Sequence, residues 1–128
     1  MVKQFLVISA FSGLLAVCLG AFGAHGLRGK IDINLMSAFQ TGVQYQFYHS
    51  LALILIALLA MHLPNEKALL WAGWSFIVGI VLFSGSLYGL ALSGPRWLGP
   101  VTPVGGLFFI VGWVCFLWAA WGLNDFHS

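Results

Sequence analysis

Eight formally charged side chains divide this chain into four long stretches without Asp, Glu, Lys or Arg: residues 4 to 27, 33 to 65, 68 to 95 and 97 to 124. A helix needs about 20 mostly apolar residues to cross a hydrocarbon layer roughly 30 Å thick, and each stretch is long enough. The expected fold is therefore all-α: an integral membrane four-helix bundle forming a single transmembrane domain over residues 1–128. The spacing predicts helices over 4–25, 35–63, 68–93 and 102–123, with an amphipathic extension at the start of the second.

Composition points the same way. Hydrophobic residues make up 61% of the chain and charged ones 6%, whereas an ordinary soluble domain carries roughly 25% charge. Membrane lipid is the partner this implies, and 128 residues leave no room for a soluble domain beside four spans. The five basic residues are scattered singly, with no run that would track phosphates, so nucleic acid is not an expected partner. Cys18 and Cys115 both fall inside apolar spans, where a thiol behaves as a small hydrophobe and implies no disulfide framework. Residues 5 to 24 imitate a signal peptide, yet the run is long and three spans follow that need something to pack on, so it reads as a retained helix.

Small residues mark packing faces. Ser9, Gly13, Ala16, Gly20 and Ala24 recur at three and four in the first span, a stripe that lets another backbone approach closely, inside the bundle or across a homo-oligomer. Gly85, Gly89 and Ser93 repeat the pattern in the third. Gly23 and Gly26 offer left-handed positions at which the first helix can stop. In the second span, Ser37, Gln40, Thr41, Gln44, Tyr45 and Tyr48 share one side, and Met36, Phe39, Val43 and Phe47 the other. This segment either lies along the interface or forms the lower part of a long helix whose polar side faces the bundle interior. Thr102 before Pro103 reads as a cap followed by a first-turn proline for the fourth helix. Basic residues number two on the side of the termini and three on the other, which does not orient the chain.

Polar side chains gather at one boundary. His25 and Arg28 close the first span, Gln44, Tyr45, Tyr48 and His49 follow the start of the second, and Ser86, Tyr88, Arg96 and Thr102 reach the same level from the third and fourth. Such groups in lipid should turn inward and bond to one another. Three uses are open: a structural network that fixes helix register, a site for a small polar or anionic ligand or lipid headgroup, and an oligomeric transporter or channel lined by Ser37 to Tyr48. His25 and His49 also suggest a metal or haem, but two His without a carboxylate or third ligand are an incomplete set. His62 reads as interfacial and His127 as terminal. No cofactor motif, nucleophile with a base, phosphate-cradling loop or paired carboxylates is present, so an enzyme is not expected.

The segments GAFGAHGL at 20 to 27, TGVQYQFYHSLAL at 41 to 53, FSGSLYGLALSG at 83 to 94 and LGPVTPVGGLFFIVGW at 98 to 113 cover nearly the whole chain in order. In these the sequence resembles the small membrane proteins grouped as domain of unknown function 423. The resemblance implies a four-helix protein of the bacterial inner membrane and brings no established activity. Its motif residues Gly23, His25, Gly26, Tyr45, Tyr48, His49, Ser86, Tyr88, Thr102, Pro103, Gly105 and Gly106 coincide largely with the boundary cluster.

Overall fold

The computed structural model describes residues 1–123, so His127 lies outside the described residues. Four helices are long and apolar enough to cross a membrane: α1 (Val2–Leu27), α2 (Ile33–His62), α3 (Lys67–Ala91) and α4 (Leu98–Trp121). No strand occurs among the described residues. The chain is a multi-pass helical bundle, in which α1 packs along α2, α2 along α3, and α3 along α4. In α2 and α3, 39% of the most apolar stretch is buried, against 22% in α1 and α4, so the first two form the centre and the others flank them.

The inward face of α1 is read directly from its spacing. Phe5, Ser9, Ser12, Ala16, Gly23 and Leu27 are buried, and all but one step is three or four residues. Its last turn, Gly23–Leu27, is a π turn, which the Arg28 amide closes on the Gly23 carbonyl at 3.1 Å. Neither Gly23 nor Gly26 adopts the left-handed conformation expected of them; that role falls to Gly29, at φ 82°. Gly23 is needed for space instead, because a Cβ there would stand 2.9 Å from the Phe39 ring.

The Asp32 side chain caps α2 by accepting from the Asn34 amide at 3.1 Å. The helix then continues unbroken for 30 residues, about 44 Å, and so exceeds the hydrocarbon thickness. The amphipathic segment is thus the lower part of one long helix, but its polar side does not face the interior. Met36 and Phe39 are buried against Leu27 and Ala91, while Ser37, Gln40, Gln44 and Tyr48 are exposed. The small-residue face of α1 accommodates the Phe39 ring, which leaves the opposite, polar side outward.

Glu66 caps α3 through the Ala68 amide at 3.4 Å, and a π turn at Ile80–Ser84 interrupts it. Ser93, at φ 68°, ends the span. Close approach of α3 to α4 occurs at Gly79, Gly105 and Gly112 and, of the expected Gly85, Gly89 and Ser93, at Gly89, where a Cβ would stand 2.5 Å from Leu98. A Cβ on Gly105 would fall against the backbone of Phe83, and one on Gly112 would stand 2.6 Å from the Phe76 ring. Gly85 has open space around it, and Ser93 is exposed. The fourth helix starts at Leu98, so Thr102 is not its cap and Pro103 lies inside it. Pro100 is the first-turn proline, where a missing N–H leaves no carbonyl unpaired.

Two apolar clusters stack along the bundle. One joins Phe5, Leu53, Ile56, Leu69, Phe76 and Phe109, and the other joins Leu27, Met36, Phe39 and Ala91. A polar layer lies between them.

Candidate functional site

The polar layer is assembled from α2 outward. Gly42, Gln46, His49, Ser50 and Leu53 share the buried face of α2 at helical spacing. The amide Nε2 of Gln46 donates to the Ser12 carbonyl of α1 at 2.8 Å, and its Oε1 accepts from the Tyr88 hydroxyl of α3 at 2.6 Å. Ser50 joins the same junction, with its hydroxyl 2.7 Å from both the Ser12 hydroxyl and the Gln46 carbonyl. Ser84 donates to the Gly42 carbonyl at 2.7 Å, and the hydroxyls of Ser86 and Thr102 link α3 to α4 at 2.5 Å. No fully buried side-chain nitrogen or oxygen among the described residues lacks a partner. In lipid, where water cannot substitute, this closure locks the mutual register of the helices.

His49 is held separately. The Trp113 indole, a donor only, gives its N–H to Nε2 of His49 at 3.0 Å. The proton of the ring must then sit on Nδ1, which donates to the Tyr45 carbonyl at 2.8 Å. The imidazole lies flat on Phe109, with centroids 3.6 Å apart and planes 10° from parallel. Both nitrogens are engaged, so His49 has no free lone pair to offer a ligand.

These positions revise the expected boundary cluster. His49 sits about 24 Å along α2 from Ile33, close to the middle of the helix, because α2 runs without a break. Gly23 lies level with Phe39 and α1 runs antiparallel to α2, which leaves His25 roughly 18 Å from His49 along the axis, far beyond what one metal ion could bridge. His25, Arg28, Gln44, Tyr48 and Arg96 are exposed and make no side-chain hydrogen bond among the described residues. Ser86, Tyr88 and Thr102 do enter the polar layer; Tyr45 contributes its carbonyl, and its hydroxyl has no partner among the described residues. No three His, Cys, Asp or Glu side chains converge among the described residues. Sequence reasoning missed Gln46, Ser12, Ser50 and Trp113. The available signal was the run of Gly42, Gln46, His49, Ser50 and Leu53 on one face of α2, in line with its apolar core positions.

Where α1 and α2 part on their outer side, two contiguous grooves of about 310 and 320 Å³ meet at Gly20, Val43 and Gln44. The one nearer the boundary includes Gln40 and the Gly23 and Ala24 backbone, and the deeper one, bounded by Ala16, Val17, Phe47 and Tyr48, is almost wholly apolar. Arg28 and Lys30 are exposed just beyond the end of α1 at the same boundary.

Fold and polar layer together define a polytopic α-helical membrane protein with an internally bonded core. The chain belongs to the family described as protein of unknown function DUF423, whose family model matches residues 19–106. It is 48% identical over 118 residues to the UPF0382 membrane protein YwdK of Bacillus subtilis, covering 92% of this chain and 96% of that one. With a UPF0382 membrane protein of Staphylococcus epidermidis it shares 46% identity over 112 residues, 88% of this chain and 90% of the relative. No solved structure matches the chain.

Proposed function

We propose that this protein is a non-enzymatic lipid-binding component of the bacterial inner membrane, and that the α1/α2 groove holds one chain of a phospholipid with its headgroup beneath Arg28 and Lys30. The observation that carries this is the gradient of polarity along the groove. Its outer part presents the Gln40 and Gln44 side, and its inner part is apolar down to Tyr48. Gln40 to Tyr48 spans about 12 Å of helix, most of one leaflet's roughly 15 Å of hydrocarbon. Gln40 and Gln44 face outward in a layer where an unpaired amide costs a few kcal/mol, and a glycerol ester or phosphate satisfies them. Lipid-spanning helices, together with the Bacillus and Staphylococcus origin of the relatives, support the bacterial membrane assignment. A non-catalytic role is supported by the engagement of the buried hydroxyls and of His49 with one another and with backbone carbonyls.

Native mass spectrometry from mild detergent tests the reading. Wild-type protein retains phospholipid, whereas Gly20→Leu fills the groove and loses it with thermal unfolding unchanged, since a Cβ at Gly20 meets only Val43 at 3.4 Å. Equal retention by both proteins would refute the groove. A second reading rests on the same outward strip of Ser37, Gln40, Gln44 and Tyr48: copies of the chain meet there and line a path for a small solute or ion. A symmetric oligomer without lipid in the same spectra favours it.

A further inference from the structure

A second lateral opening lies between α2 and α4, separate from the lipid groove. Its volume is about 450 Å³, within the roughly 300–1,000 Å³ of small-molecule sites. Tyr45, Phe83, Phe109 and Trp113 line it, with Gly106 on the α4 side and His49 among its walls. The aromatic rings pack on one another, Tyr45 against Phe83 at 4.8 Å and His49 against Phe109 at 3.6 Å. Tyr45 and Trp113 remain 39% and 46% exposed, so ring surface is left uncovered.

The hydrogen-bond inventory of this opening is uneven. The Trp113 N–H and both His49 nitrogens are committed, whereas the Tyr45 hydroxyl has no partner among the described residues. Tyr45 stands about 18 Å along α2 from Ile33, inside the hydrocarbon layer, where a lone O–H costs a few kcal/mol. A matching occupant has a flat face for the aromatic walls and an acceptor for one donor. An acyl chain fills the volume but leaves the hydroxyl unpaired and makes no use of the ring faces.

We propose that this opening binds a membrane-soluble planar ring bearing a carbonyl oxygen, of the quinone class, stacked on the aromatic walls and accepting a hydrogen bond from the Tyr45 hydroxyl. The lateral position of the opening lets a lipophilic tail extend into the bilayer.

The test uses the full chain in lipid nanodiscs, titrated with a decyl-tailed benzoquinone and followed by tryptophan fluorescence, with decanol as competitor. Saturable quenching that decanol does not reverse is expected. Tyr45→Phe raises the half-saturating concentration about 2- to 10-fold, the value of one net hydrogen bond. Gly106→Leu abolishes saturation: a Cβ there meets only Phe83, at 3.9 Å, so the added side chain enters the opening without disturbing the core. If Gly106→Leu fails to fold, Leu107→Phe, on the same lining, takes its place. Quenching that never saturates, displacement by decanol, or an unchanged titration in Tyr45→Phe and the filling variant would each overturn the proposal. Gly20 lines the lipid groove and not this opening, so the two sites fail independently.

Discussion

Trp113 reaches across from α4 to donate its indole N–H to Nε2 of His49 at 3.0 Å, and thereby sets the tautomer of a histidine near the centre of the membrane. The two helices meet here through side chains, with the imidazole stacked on Phe109 between them. Removing one partner should therefore cost more than removing both. Trp113→Phe leaves Nε2 unpaired and is expected to destabilise the protein by about 1–2 kcal/mol. The double variant His49→Phe with Trp113→Phe keeps the ring stack without a stranded polar atom and recovers most of that loss. Thermal unfolding of the singles and the double in one detergent measures the coupling; strictly additive effects would show that the bond carries no energy.

Gln46 and Gln44 are two residues apart and face opposite ways. Gln46→Leu strands the Tyr88 hydroxyl and removes the link from α2 to the Ser12 carbonyl of α1, with an expected loss of about 1–3 kcal/mol. Gln44→Leu replaces an exposed amide by a group at home in lipid, and its unfolding temperature stays level or rises. The reverse order would place the structural junction on the wrong face of α2.

That contrast shows how far the sequence could be read. Four charge-free stretches were enough for the bundle, because lipid thickness prescribes span length. They also located the polar residues on α2, since helical spacing is local. Which side of the lower half of α2 turns inward was misread: the run of Gly42, Gln46, His49, Ser50 and Leu53 signals it farther along the helix, but at the boundary it depends on Gly23 making room for Phe39, a contact between helices. The same holds for Trp113, whose partner His49 stands 64 residues away on another helix. Ser86, Tyr88 and Thr102 were found because their partners lie at the same level on neighbouring helices. His25 and His49 were wrongly joined because α2 continues through the boundary, carrying His49 to mid-membrane.

Gly105 and Gly85 make a matched pair for testing the α3/α4 contact. Gly105→Ala drives a methyl against the Phe83 backbone, which cannot swing aside as a side chain would, and the expected cost is about 1–3 kcal/mol. Gly85→Ala meets nothing and gains up to about 1 kcal/mol of helix propensity. Unfolding measured side by side, with equal effects from both substitutions, would mean that α3 and α4 are not in backbone contact at this level.

Headgroup charge supplies the last test, because it reads the mouth of the α1/α2 groove without touching its walls. Arg28 and Lys30 are exposed at the end of α1 and make no side-chain hydrogen bond among the described residues, so replacing them leaves the packing intact. A basic side chain near a membrane surface is worth about 1 kcal/mol toward anionic lipid, or roughly fivefold in relative affinity. In nanodiscs that mix phosphatidylglycerol with phosphatidylethanolamine, wild-type protein should enrich the anionic lipid among the molecules retained in native mass spectra. Arg28→Gln and Lys30→Gln should each lower that enrichment several-fold, and more so at low ionic strength, where screening is weakest. A lipid ratio identical in wild type and both variants would mean that the groove, whatever occupies it, does not read the headgroup through these two cations.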